Sequence, residues 1–377
     1  MRVVLVCDDG NYGIVYPLSA ALSEAGRNVM VIRLVVGFGN QLLRVITETR
    51  NIANVEEITV SITCRWCRDV KMGSPLLLKL LNFKLKPLKA KIKQAEIIHV
   101  FGESVLGSLA QKLAQKSEIP LVLSPNAIDL RSEKFPVSLN NGVKLGSVIK
   151  NQTLIIEADF LKNYVWDKNY RIVKPWVVID GLGYRPKAFG SSLYFVMAGN
   201  WNEENPVIAR PKLAIKALAA AEQELGKPLI LGVIGSGTRI SELKLYCASL
   251  GIHTQFHGDL SLKDLAREFQ KADGFLHPTD FATYPTFMIQ ALKCGVPIIA
   301  SQVEGMETYL TAPEQGILVE NKLSAWKEAL LQFANTEFDN SAIANQHKET
   351  FKFEAHVAAT LKVYNSLPLG RHDGILG

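Results

Sequence analysis

The sequence predicts an α/β protein made of two doubly wound domains in tandem. Three observations carry this. Short, nearly continuous apolar runs such as RVVLVCDD (Arg2–Asp9), AEIIHVFG (Ala95–Gly102) and LYFVMAGN (Leu193–Asn200) read as parallel strands buried on both faces. They alternate with segments of helical period, the pattern of β-α-β units. The alternation is interrupted at GLGYRPKAFGSS (Gly181–Ser192), rich in Gly, Pro and Ser, and then begins again. At 377 residues the chain is also long for a single core. We therefore expect a first domain over 1–184, a second over 185–352, and a last helix with a tail, 353–377, crossing back to the first domain.

In the first half, Gly10-Asn11-Tyr12-Gly13 is expected to turn the chain after the first strand, before a helix over Ile14–Ala25 that Gly26 ends. The second strand is Asn28–Val36 and the third Val55–Ile62. After Ala95–Gly102 come a helix over Ser104–Lys116 and strands at Ile119–Asn126, Thr153–Asp159 and Lys174–Gly183. Consecutive parallel strands of this kind connect right-handedly.

In the second half, the Leu193 strand leads to an alanine-rich helix, Lys212–Gly226, which glycine stops. The strand from Leu229 ends in the turn Gly235-Ser236-Gly237, and a helix over Ile240–Leu250 follows. The strand Gln255–Leu260 and the amphipathic Leu262–Ala272 come next. Gly274–Ser301 then reads strand, loop, helix, glycine, strand, with the helix starting near Thr286. Gly316–Asn321 is a short strand, Ser324–Asn335 a helix, and Phe353–Leu367 the final helix. A parallel sheet binds ligands beyond the carboxyl ends of its strands. The loop Pro278–Pro285 and the unpaired amides at Thr286 and Phe287 are thus candidates for holding a phosphate.

Charged residues at 21% and hydrophobic residues at 48% describe an ordinary globular protein. No apolar run reaches the roughly 18 residues a membrane span needs. Two aspartates break the first apolar run at once, which disfavours a signal peptide and points to a cytoplasmic protein. Cys64 and Cys67 form a lone C-x-x-C with no second pair to complete a zinc site. The pair Gly10 and Gly13 lacks the G-x-G-x-x-G pattern, and no G-x-x-x-x-G-K-[ST] occurs, so dinucleotide and kinase readings have little support. No cofactor or metal is expected. LLLKLLNFKLKPLKAKIK, between Leu76 and Lys93, carries six lysines and no acid. Its part from Lys79 to Lys93 suits either peripheral contact with an anionic membrane or a solvated helix face. No nucleic-acid-binding module accompanies it.

The second-half motifs resemble those of the retaining, nucleotide-sugar-dependent glycosyltransferases of the two-domain GT-B fold, family 4 or group 1. The family's V-G-x-G turn is matched by Ile234-Gly235-Ser236-Gly237, and its F-x-G step by Phe256-His257-Gly258. His277-Pro278-Thr279 matches the entry to its P-S loop. The run A-x-x-x-G-x-P-V-x-A is matched by Ala291, Gly295, Val296, Pro297, Ile298 and Ala300. The resemblance implies two Rossmann-like domains facing across a cleft, with the second binding a nucleotide-sugar donor and the first a sugar, lipid-linked or other hydroxyl acceptor. It implies sugar transfer with retention, as in polysaccharide or glycolipid biosynthesis, by a cytoplasmic protein that can sit on the inner face of a membrane.

The chain departs from the family where chemistry is expected. Of two family glutamates eight positions apart, the ribose-binding one falls at Gln290 and the sugar-binding one at Ala282. Gln290 can still hydrogen-bond a hydroxyl, whereas Ala282 cannot, and Asp280 is the carboxylate nearest to it in sequence. Family glycines correspond to Thr283 and Pro285, and Tyr284 lies between them. The family's phosphate-binding arginine is replaced by Asn200 and its lysine by Ala209, with Arg210 and Lys212 beside it. The expected catalytic residues are thus Asp280, Arg210 and Lys212. The donor is expected at Asn200, Gly235, Ser236, Gly237, His257, Ala282, Thr283, Tyr284, Thr286, Phe287 and Gln290. Acceptor-side candidates are Gly10, Gly13, His99 and Asn126, although the family's histidines align with Phe101 and Pro125. The alternative is a non-catalytic relative that binds a nucleotide or sugar, or partners an active enzyme. The direction of Arg210 and Lys212 separates the two readings: into the cleft for an enzyme, out to solvent for a non-catalytic relative.

Overall fold

The computed structural model describes residues 1–8, 11–38, 44–64, 85–102, 105–125, 138–139, 143–144, 152–165, 169–177, 183–186, 191–202, 210–281 and 285–368. Two compact units emerge, one of Met1–Lys174 with Glu354–Gly377 and one of Pro175–Phe353.

The first unit is built on an eight-stranded sheet. Its strands are β1 (Arg2–Asp8), β2 (Asn28–Phe38), β3 (Arg44–Ile52), β4 (Val55–Cys64), β5 (Ile97–Phe101), β6 (Leu121–Ser124), β9 (Gln152–Ile156) and β10 (Tyr170–Ile172). A separate antiparallel pair, β7 (Ser138–Leu139) and β8 (Val143–Lys144), lies between β6 and β9 in sequence. The order is β10-β9-β6-β5-β1-β2-β4-β3, parallel throughout except for β3. Val3 to Val6 of β1 are at most 1% exposed, as both faces of a central strand demand. Helices of its first part, among the described residues, are α1 (Tyr12–Glu24), α2 (Lys86–Ile92) and α3 (Val105–Lys116).

β3 is an element that the sequence reading lacks. It pairs with β4 through a two-residue turn at Ala53 and Asn54, with φ of 47° and 62°. Both central residues having positive φ is the type I′ hairpin geometry, which Asn tolerates well. A second difference concerns Lys174–Gly183, expected as a strand. Its described part, Lys174–Val177, pairs with no strand, and the strand in this region is instead Tyr170–Ile172. The Val177 amide donates to Phe351 O at 3.1 Å, and the Trp176 ring meets Phe353 edge-on at 4.7 Å between centroids. These contacts bind the segment to the second unit, so the boundary falls at Lys174/Pro175 rather than at 184/185.

The final helix, α10 (Phe353–Asn365), contributes to the first unit's core. Val363, Tyr364 and Leu367 pack with Val3, Leu5, Val15, Leu18 and Ile97. Burying each such side chain contributes about 1.5–3 kcal/mol.

The second unit is a six-stranded, wholly parallel sheet in the order β13-β12-β11-β14-β15-β16. Its strands are β11 (Leu193–Ala198), β12 (Leu229–Ile234), β13 (His253–Gly258), β14 (Gly274–His277), β15 (Ile298–Ser301) and β16 (Gly316–Val319). The helices are α4 (Pro211–Leu225), α5 (Ile240–Ser249), α6 (Leu262–Lys271), α7 (Thr286–Lys293), α8 (Leu323–Ala334) and α9 (Asn340–His347). In α4, Ala214, Ile215, Ala217, Leu218 and Ala221 recur at helical spacing and are buried, and Gly226 closes the helix at φ 61°. The chain winds from β11 outward to β13, then resumes at β14 on β11's other side. This makes β11/β14 the topological switch point, where the strand ends splay and leave a crevice.

Candidate functional site

The crevice at β11/β14 is where the strongest sequence candidates converge. Arg210 stands at the start of α4, with Pro211 fixing the first helical φ. Its amide donates to Pro278 O, just past β14, at 2.9 Å. Its guanidinium Nε is ion-paired with Asp280 Oδ1. Arg210 and Asp280, 70 residues apart, thus meet at the switch point.

The Asp280 loop is held by groups that sequence reasoning missed. Asn321, after β16, donates through Nδ2 to Thr279 O at 2.8 Å and to Asp280 Oδ1 at 3.4 Å. Ser301, ending β15, donates to Asn321 Oδ1 at 2.6 Å and accepts from the Thr279 amide at 2.8 Å. The Thr279 hydroxyl donates to Phe281 O at 2.9 Å. The signal was present in PIIAS and GILVEN, where a polar residue closes or follows an apolar strand run.

The glycine turn borders the same crevice from the β12 side. Gly235 has φ 105°, and a Cβ there would lie 1.9 Å from Gly199 O. Gly237 has φ 153°, and its Cβ would meet the Trp201 carbonyl carbon at 2.3 Å. Only glycine permits this approach. Trp201 pins the turn by donating Nε1–H to Ile234 O and N–H to Ser236 O, both at 2.9 Å. The Thr238 amide reaches Asn202 Oδ1 at 2.9 Å. Gly235 N–H is taken by Gly258 O at 2.7 Å, and the Ser236 hydroxyl donates to Asp259 Oδ2 at 2.6 Å. Among the described residues, the Ser236 and Gly237 amides have no acceptor.

At the other border α7 begins at Thr286 without a side-chain cap, and among the described residues the first-turn amides of Thr286 and Phe287 have no acceptor, the arrangement that suits an anion. One turn in, Gln290 is 4% exposed and among the described residues its Oε1 has no hydrogen-bond partner. Leaving such an acceptor unpaired costs about 1–3 kcal/mol. Asn200 is exposed beside Gly199.

Other expected residues fall elsewhere. Lys212 is directed along α4 to α5, paired with Glu242 and lying 5.3 Å from the Tyr246 ring centroid. The helix register places it two residues past Arg210, on a different face, so only Arg210 of the expected pair reaches the crevice. His257 belongs to a polar cluster on the sheet: its Nε2 lies 3.1 Å from Tyr194 Oη, which donates to Glu268 Oε2 at 3.1 Å. Gly232 makes room for that hydroxyl, since a Cβ there would sit 2.2 Å from it. Burial first, then Glu268, pushes the Tyr194 hydroxyl well above its usual range. His257 is therefore engaged as a strut between β13, β11 and α6.

In the first unit His99 is 1% exposed, with Nδ1 2.7 Å from Tyr364 Oη and Nε2 2.7 Å from Ser124 Oγ. Both ring nitrogens are occupied, and burial lowers its pKa to about 3. This histidine fastens α10 to the sheet and has no free atom for an acceptor. Gly13 lies inside the first turn of α1 rather than in a loop, because Asp8 Oδ1 accepts from Asn11 N at 2.9 Å and starts the helix early. Gly10, Asn126, Ala282, Thr283 and Tyr284 lie outside the described residues, as do Cys67 and Lys79 to Lys84. Among the described residues no group of three or more His, Cys, Asp or Glu could hold a metal ion, and no helix is long and apolar enough to cross a membrane.

The two Rossmann-like domains and the switch-point crevice define the GT-B class of fold. Residues 192–350 match the family described as "Glycosyl transferases group 1", which shows the resemblance carried by the sequence motifs. A D-inositol 3-phosphate glycosyltransferase of Arthrobacter sp. (strain FB24) is 27% identical over 143 residues, 36% of this chain and 34% of that protein. The match thus spans about a third of that relative's length. Sucrose-phosphate synthase from Thermosynechococcus elongatus superposes with a TM-score of 0.67 at 16% identity, covering 97% of this chain and 98% of that one. The catalytic domain of starch synthase IV from Arabidopsis thaliana, bound to ADP and acarbose, gives 0.60 at 12% identity, covering 97% and 99%.

Proposed function

We propose that this protein is a glycosyltransferase that moves a sugar from a nucleotide-sugar donor to a hydroxyl acceptor with retention at the anomeric carbon. The observation that carries the reading is the switch-point crevice: Arg210 stands at the start of α4 and is paired with Asp280 of the loop after β14, and the same loop leads into the uncapped α7, which carries the unpartnered Gln290 Oε1. Each is a group that a nucleoside diphosphate satisfies. The α7 amides and the Ser236 and Gly237 amides take phosphate oxygens, Arg210 supplies positive charge, and Gln290 takes a ribose hydroxyl. The family match over this domain and the ADP in the starch synthase neighbour support the same ligand class.

As the glycosidic bond to the diphosphate breaks, charge grows on the leaving oxygens. Fixed amides and Arg210 stabilise that charge without reorganising, a contribution of about 2.7–4 kcal/mol per well-placed donor. The acceptor oxygen bonds to the anomeric carbon from the same face as that bond breaks, its proton passing to the departing diphosphate oxygen, and holding the hydroxyl there supplies the rest by positioning. No cofactor or metal enters this scheme.

We propose further that the acceptor is a sugar, lipid-linked or other hydroxyl and that the protein is cytoplasmic, with peripheral contact to an anionic membrane through Lys79 to Lys93. What supports a surface role is the lysine cluster of the first unit. Lys86, Lys89, Lys91 and Lys93 lie on or next to α2, with Lys91 paired to Glu56, and the like charges of Lys116, Lys86 and Lys93 add to burial in holding the Lys89 ammonium below its usual range. A second reading, a non-catalytic binder of nucleotides or sugars, is favoured by Ala282 at the family's carboxylate position and by the diversion of Lys212 to Glu242.

A thermal-shift screen with UDP, GDP, ADP and their glucose conjugates tests both. At 100 times its dissociation constant a ligand adds about 2.7 kcal/mol of stability. We expect one nucleotide family to shift the melt and Arg210→Ala to weaken, without removing, the shift. Release of free diphosphate from the matching donor then distinguishes the enzyme from the binder, and no shift with any nucleotide rejects the donor site.

A further inference from the structure

The pairing of Arg210 with Asp280 has a meaning beyond placing two candidates together. Between Gly199 and Lys212 the sequence holds one cation besides Lys212, namely Arg210, and two acids, Glu203 and Glu204. Lys212 is committed to Glu242. Arg210 is thus the cation available to a diphosphate from this part of the site, and it is already neutralised by a carboxylate from the opposite side of the switch point. The pair is half open to solvent, with side-chain exposures of 48% and 27%. Such a solvent-open pair contributes little net stability, so a doubly charged ligand can break it.

The Asp280 end is differently built. Its backbone neighbours are tied by Ser301, Thr279 and Asn321, and Asn321 Nδ2 also reaches its carboxylate. The carboxylate therefore stays where the loop puts it when Arg210 leaves. Arg210, on a long side chain at the helix start, is the partner that can swing.

We propose that donor binding is an exchange of partners: the diphosphate takes Arg210 from Asp280, and the freed Asp280 carboxylate accepts a hydroxyl of the donor sugar. This rests on the donor-site reading above. It assigns Asp280 as the residue that reads the sugar, and it makes sugar recognition conditional on the phosphates being seated. A free monosaccharide finds the carboxylate occupied, and a bare diphosphate has to displace it without the compensating hydroxyl.

One substitution then has opposite effects on two ligands. In Asp280→Asn, the nucleoside diphosphate identified in the screen above should bind tighter than to the unaltered protein, by at least about threefold. Its glucose conjugate should lose the advantage it holds over the bare diphosphate. Titration calorimetry with both ligands reads the two changes on one protein, and a melt without ligand establishes that the variant is folded. In an Arg210→Ala background the gain from Asp280→Asn should shrink toward none, because nothing remains to be released; simple charge repulsion would leave the gain intact. Unchanged diphosphate affinity in Asp280→Asn, or a gain equal in both backgrounds, overturns the exchange while leaving the donor site standing. Failure of UDP, GDP and ADP to bind any of the variants or the unaltered protein overturns both.

Discussion

At the scale of single residues, the structure separates side chains that look alike in sequence. His99, His257 and Gln290 are all polar residues within apolar runs. His99 has a partner on each nitrogen, His257 is taken by Tyr194, and Gln290 alone has an unpartnered buried atom. Only the last has the signature of an open ligand site. The neutral, buried His99 also makes a pH prediction. Its folded pKa is about 3 and its unfolded value about 6.5, so between these pH values the unfolded chain binds a proton that the folded chain refuses. Stability should fall as pH drops through this window. Urea melts at pH 7 and pH 4.5 should show the loss for the first unit, reduced in His99→Gln. His277 and His347, also held neutral by burial with values of about 4, add the same trend to the second unit in both proteins. Sequence reasoning assigned His99 to the acceptor side because one chain position says nothing about which distant side chain, here Tyr364, will fill its hydrogen bonds.

At the scale of elements, the strands of both sheets were legible because their burial on two faces gives continuous apolar runs. The exceptions have different causes. β3, RVITETRNI, is a mostly exposed edge strand whose centre is wholly polar, and β10, the three-residue strand at the other edge, is too short to leave a pattern. Lys174–Val177 is apolar enough to read as a strand but spends its Val177 amide on Phe351. The glycine turn after β12 was read correctly as a turn, yet its purpose came from contacts that no local pattern encodes: Gly199 O and the Trp201 backbone fill the space where side chains would go. Gly235→Ala should therefore force the turn off the end of β11. Positive φ alone costs about 1–3 kcal/mol in a residue with a side chain. The clash with Gly199 O adds to that. A lower melting temperature together with weakened nucleotide binding is the expected result, and a variant with unaltered melting would disprove the account. Within the site, the loop from Pro278 was placed correctly, but the Asp280–Arg210 pair depends on a helix start 70 residues earlier.

At the scale of the whole molecule, the division into two units follows the chain with one exception, and that exception is α10. Residues 354–367 complete a core whose other members begin at Val3. Removing 354–377 should leave the second unit's melt in place and abolish or strongly lower that of the first, as domain-resolved hydrogen exchange would report. Loss of the second unit instead would contradict the assignment of α10. The helix also fixes an order of events during synthesis. Residues 175–353 form a continuous segment that can become native once it has left the ribosome, whereas the unit begun by Met1 waits for Val363 and Tyr364. The second unit thus matures first, and until the residues of α10 have been translated the earlier half depends on chaperones, or on its own incomplete sheet, to stay out of aggregates.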